Sequence, residues 1–164
     1  MKAAHRLTLT AVALMLVGLA LADPALGAAG GCHGYSGGFT AIRPHICSSP
    51  VGICTNGTLI GSVLETYDFV ADTLVFTSAT TANYTGHSVI KTAQGAQIYG
   101  SDSGMLAIRS DGVMADFVTT VHVVGGTREY ARATGSIVAP GVLNLITGGT
   151  EGSYSGTICL GKGD

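Results

Sequence analysis

Beyond residue 55, apolar and polar positions alternate in short runs separated by turn residues, and no stretch carries the 3.6-residue apolar period of an amphipathic helix. The runs 58–70, 73–78, 84–92, 96–108, 113–124, 136–146 and 152–160 are predicted as strands. Ala93-Gln94-Gly95, Ser110-Asp111-Gly112 and Thr147-Gly148-Gly149 place glycine where a tight reversal needs positive φ, so most connections are expected to be hairpins. A sheet of this many strands must deal with its edges, and closure into an antiparallel barrel removes them, with a sandwich as the alternative. Residues 28–53 are rich in Gly, Ser and Pro without periodicity and read as an irregular N-terminal segment tethered by its cysteines, ahead of a barrel domain over 54–164.

Alternation also assigns faces. In the first run Leu59, Gly61, Val63, Glu65, Tyr67 and Phe69 share the core face, so Glu65 lies among apolar neighbours, where burial raises a carboxyl's pKa toward the acid–base range. In 96–108 the core face holds Ile98, Gly100, Asp102, Gly104, Leu106 and Ile108. Asp102 therefore also points inward, between two glycines that bring backbone close. Two inward carboxylates suggest one polar spot in an apolar cavity, and they are the candidate catalytic residues. Tyr67, Phe69, Tyr84, Phe117 and Tyr154 are the candidates for lining that cavity. Tyr84-Thr85-Gly86 and Tyr154-Ser155-Gly156 echo each other, each glycine leaving room for a ring or a bend.

Other chemistry finds little support. His87 and His122 alternate with polar residues and face outward, while His33 and His45 lie in the irregular segment. Gly100-Ser101-Asp102-Ser103-Gly104 matches the hydrolase pentapeptide but sits in a β run without a strand-to-helix elbow. The glycines after Val124 match neither the dinucleotide fingerprint nor the Walker pattern. Neither a nucleotide nor a metal is expected as cofactor.

The N-terminus reads as a secretory signal peptide over 1–27: Lys2 and Arg6, an apolar run over 7–21, then small residues, with cleavage after Ala22 or, preferably, Gly27. Ala29-Gly30-Gly31 before Cys32 leaves lipid attachment to that cysteine as a third reading. The apolar run is too short for a comfortable membrane span. The remaining chain of about 137 residues is one domain, with six Lys and Arg against nine Asp and Glu, which attracts neither nucleic acid nor an anionic membrane. In an exported chain the four cysteines Cys32, Cys47, Cys54 and Cys159 form two disulfides. Cys54 precedes the first predicted strand and Cys159 ends the last, so Cys54–Cys159 with Cys32–Cys47 is the expected pairing.

The segment Gly125-Gly126-Thr127-Arg128-Glu129-Tyr130-Ala131-Arg132-Ala133-Thr134-Gly135, between Val123-Val124 and Ile137-Val138-Ala139, resembles the G-G-T-G-x-F/Y-x-x-A-x-G turn of the allene oxide cyclase and dirigent barrels, with Arg128 at the third glycine. The likeness extends over about residues 57–160 in strand order, in Asp102-Ser103-Gly104 and in Tyr154-Ser155-Gly156. It implies an eight-stranded antiparallel barrel whose cavity shapes a reactive hydrophobic molecule without cofactor, and which commonly self-associates. No catalytic residue is carried over from it. The expected function is a secreted cavity protein for a small hydrophobic molecule, either a cofactor-free cyclase or isomerase or a non-catalytic binder, with a ligand-free structural domain of the cell envelope as the third reading.

Overall fold

The computed structural model describes residues 31–62 and 64–161, and the signal peptide expected over 1–27 lies outside the described residues. Eight strands follow in chain order: β1 Cys32–Ile42, β2 Cys54–Gly61, β3 Leu64–Phe76, β4 Thr81–Lys91, β5 Gln97–Ile108, β6 Met114–Gly126, β7 Thr134–Asn144 and β8 Thr150–Cys159. Each pairs antiparallel with its neighbour in sequence, and β1 pairs with β8 to close the barrel. Every backbone edge is thereby consumed.

β1 corrects the expectation of an irregular segment over 28–53, since Cys32–Ile42 is a strand and the stretch without strand structure that follows it is 43–53. With Gly34, Gly37 and Gly38 and no Val, its local preference for strand is weak. It forms because β2 on one side and β8 on the other complete its ladders. The barrel therefore begins at Cys32, not Cys54.

The expected disulfide pairing is corrected for the same reason. Cys32 bonds Cys159, its direct partner in the β1–β8 register, and Cys47 bonds Cys54 across the 43–53 connection. The clasp between first and last strands exists, but the first strand is one earlier than its sequence suggests. With Cys32 in a disulfide, no thiol remains there for lipid attachment. Two disulfides fit an oxidising compartment.

The run 58–70 divides into β2 and β3 at a reversal centred on Ser62. Leu59 pairs with Glu65 and Gly57 with Tyr67, so residues reflected through an odd-length turn keep the same parity and the alternation passes unbroken through the hairpin. The expected break between 70 and 73 is instead a bulge at Asp72 within β3, which turns Leu74 inward opposite Tyr84. A second bulge sets Val124 out of register between Tyr99 and Gly100.

The two ends of the barrel are packed differently. Tyr35, Ile90, Ile98, Val123, Ile137 and Ile158 fill the end where β1 starts, and the short helical turn Arg128–Tyr130 lays Tyr130 against them. Thr127 anchors that turn, its N–H donating to the Gln97 carbonyl at 2.8 Å and its Oγ1 accepting the Gln97 N–H at 2.9 Å. At the other end the buried apolar cluster is smaller, Tyr84, Leu106 and Ala115, and Phe69, Leu74, Ile108 and Leu143 packed against it are half-buried. That end is the open one.

Candidate functional site

An eight-stranded barrel is just wide enough for its inward side chains to fill it. Here the rings lie against the wall instead. A Cβ on Gly86 would stand 2.8 Å from Cε2 of Phe69, and one on Gly141 would stand 2.6 Å from Cζ of Phe117 and 2.9 Å from Cζ of Phe39. Tyr84 lies over Gly104 in the same way, its hydroxyl within 2.5 Å of where a Cβ would sit. Each ring occupies the space that a side chain on the neighbouring strand would take, and the centre stays hollow. The resulting cavity, about 120 Å³, reaches from Tyr35 and Tyr154 to Ile53 and Leu143 at the open end.

Its wall is apolar except at a few points. Asp102 on β5 faces Gly86 of β4 and Val121 of β6, is 3% exposed and lies on the wall. Ser88 Oγ donates to its Oδ1 at 3.1 Å, while Oδ2 has no hydrogen-bond partner among the described residues. Burial pushes the carboxyl up to about 6, with the Ser88 hydrogen bond and His87 holding it down and Asp72 adding to the rise. His87 and Asp72 face outward and pair with each other at 3.1 Å, so they act on Asp102 only through the sheet. Beside it the Tyr84 and Thr119 hydroxyls share a hydrogen bond at 2.6 Å. Burial carries Tyr84 up to about 12, offset in part by Thr119 and reinforced by the Asp102 charge.

Glu65 is also buried, at 5% exposure, but does not line the cavity. Tyr35 stands between, donating its hydroxyl proton to Glu65 Oε2. Burial raises the Glu65 carboxyl and the Tyr35 hydrogen bond lowers it. Tyr35 is itself driven well above the usual phenol range, first by burial and then by that bond to Glu65. The Tyr35 and Tyr154 rings lie 5.1 Å apart, and Ser62 favours ionised Tyr154 without reaching hydrogen-bond geometry to its hydroxyl. Neither carboxyl contributes to the shift of the other, so the two inward acids form two sites rather than one polar spot.

Tyr35→Phe removes the hydroxyl that Glu65 relies on in the packed end. The expected cost is about 2 kcal/mol, the penalty for stranding a buried acceptor. It should be larger at alkaline than at acid pH, because the lost bond favours the ionised carboxylate. Urea denaturation at two pH values measures this, and an unchanged midpoint would remove Glu65–Tyr35 from the interactions that hold the packed end.

Tyr67, Phe69, Tyr84, Phe117 and Tyr154 all stand on the cavity wall. His33, His45, His87 and His122 are exposed, and among the described residues no three His, Cys, Asp or Glu side chains cluster as metal ligands would. Sequence reasoning overlooked Ser88, Thr119 and Tyr35. Ser88 was legible, since Tyr84, Gly86, Ser88 and Ile90 form one alternating face, and Thr119 follows from Phe117 by the same step. Tyr35 shares such a face with Gly37, Phe39 and Ala41, in the stretch whose glycines disguise it as irregular. No protein-family model, no curated protein and no solved structure matches this chain, so what places it is the closed eight-stranded antiparallel barrel itself.

Proposed function

We propose that this protein takes a small, largely apolar molecule through the open end of its barrel and holds one polar group of that molecule at Asp102. The observation that carries the reading is an apolar cavity reaching solvent on whose wall, among the described residues, Asp102 is the one carboxyl, with one oxygen unpartnered. Ile42, Phe76 and Ile146 are exposed at the same end and offer such a molecule an apolar approach. The loop over 125–135 and the strand order resemble the allene oxide cyclase and dirigent barrels, whose cavities handle hydrophobic molecules without cofactor. The two disulfides suit an oxidising compartment, and the leader expected over 1–27 supports action outside the cytoplasm.

Turnover is the second reading. A buried carboxyl at about 6 exchanges a proton near neutral pH, which a cofactor-free isomerisation or ring closure requires. Glu65, shielded behind Tyr35, takes no part in it.

The test is uptake of toluene by the purified protein, followed by titration calorimetry, beside an Ala139→Leu variant that fills part of the cavity. Wild type is expected to bind saturably and the filled variant at least about tenfold more weakly, as for apolar cavities of this size. Absence of binding by wild type both of toluene and of its polar analogues benzyl alcohol and benzylamine overturns the reading. A molecule that co-purifies with the protein, identified by mass spectrometry and added back, separates the two readings: unchanged recovery means binding, conversion to an isomer means catalysis.

A further inference from the structure

We infer that the molecule this cavity selects is a small alkyl or aryl amine, bound as its ammonium ion between Asp102 and the aromatic wall. The inference rests on the cavity being a ligand site and narrows the class of ligand. Among the described residues around the cavity seven are aromatic, Tyr35, Phe39, Tyr67, Phe69, Tyr84, Phe117 and Tyr154, and none is Lys, Arg or His. A buried carboxylate without a cation beside it is an uncompensated charge, and the apolar wall makes that charge costly. A neutral alcohol offers Oδ2 one hydrogen bond and leaves the charge in place. An ammonium both donates and neutralises, in the stronger, charge-assisted form of the bond.

The rings complete the match. Phe39 meets Tyr67 edge-on at 6.1 Å, and Phe69 meets Tyr84 edge-on at 6.1 Å, so the rings around the cavity are not all parallel. The face of an aromatic ring attracts a cation, and a cage of several rings is a general solution for recognising amines. The cavity of about 120 Å³ compares with the roughly 150 Å³ that admits benzene, which limits the enclosed apolar part of the ligand to about one aryl ring or an alkyl group of similar size. An alkyl or aryl group of that size sits among Leu106, Ile137 and Ala139, with its ammonium at Asp102.

Binding of a cation should follow ionisation of Asp102. The groups that face it are Tyr84 and Ser88 from β4, Val121 and Thr119 from β6, and, across the sheet, the His87–Asp72 pair of β4 and β3. Tyr84 stays neutral in the working range, and the titratable groups of β6, Asp116 and His122, are exposed on the outer face of the barrel.

The experiment compares benzylamine with benzyl alcohol and toluene by titration calorimetry on the purified protein. At about pH 7.5 benzylamine is expected to bind about tenfold or more tighter than benzyl alcohol, the gain of a charge-assisted over a neutral hydrogen bond. At about pH 5 its affinity should fall about tenfold while that of the alcohol stays level, because only about a tenth of Asp102 is then ionised. Asp102→Asn should bind the two alike. Because the pH arm uses wild type alone, the result does not depend on that variant folding. Toluene and benzyl alcohol binding as tightly as benzylamine overturns the amine and leaves the ligand site standing. No binding of any of the three overturns both.

Discussion

Replacing Cys32 and Cys159 together by alanine is expected to cost about 5 kcal/mol of stability, against about 2 kcal/mol for the pair Cys47 and Cys54, from the loop entropy each bridge removes. The two bonds close loops of very different span, with sequence separations of 127 and 7. In the unfolded chain the long bridge forbids most of the conformations open to the free chain, while the short one restricts only a local segment. The long bridge also sits at the last rung of the β1–β8 ladder, which runs from Cys32–Cys159 to Ala41–Thr150. β1 carries Tyr35 and Phe39 on the cavity wall, so loosening that seam also loosens the packed end. Urea denaturation of the two double variants decides it, and equal losses would mean that the β1–β8 closure draws nothing from the bond that spans it.

Asp102→Asn should abolish a stability change of about 3 kcal/mol between acid and neutral pH. Holding the carboxyl at about 6 rather than its ordinary 3.8 means that the folded protein binds a proton more tightly than the unfolded chain. The contribution is therefore fully present below about pH 4 and is lost as pH rises through about 6. Glu65, raised by burial, adds a slope of the same sign, while Asp111 and Asp116, lowered by their hydrogen bonds, add the opposite one. All three remain in the variant, so the difference between wild type and Asp102→Asn isolates Asp102. Ser88 still finds an acceptor in the asparagine amide, which keeps the local geometry. Chemical denaturation from about pH 4 to pH 8 measures the difference, and parallel profiles would mean that Asp102 is not desolvated as its position implies. If the cavity holds an amine, adding it near neutral pH should restore part of the lost stability in wild type alone.

The face assignments were legible because strand side chains alternate whatever the strands pack against. Glu65 and Asp102 were identified as inward from Tyr67 and Phe69 on one side and Ile98 and Leu106 on the other, before any partner strand was known. Alternation is blind to reversals that preserve parity, which is why 58–70 reads as one strand and folds as two. It is equally blind to context. β1 has little intrinsic preference for strand, and only the ladders offered by β2 and β8 make it one, which in turn moves the first–last clasp from Cys54 to Cys32.

By itself, then, the chain determined an all-β fold, its hairpin order and the inward placement of two carboxyls, since these follow from period, turn chemistry and the cost of open edges. Tertiary structure alone decided which strand closes the barrel, which cysteines meet, and that Glu65 is sealed behind Tyr35 while Asp102 is left on a cavity wall. Those outcomes depend on rings from one strand lying over glycines of the next, as Phe69 lies over Gly86. Distances between strands far apart in sequence are set by packing, and no local pattern encodes them.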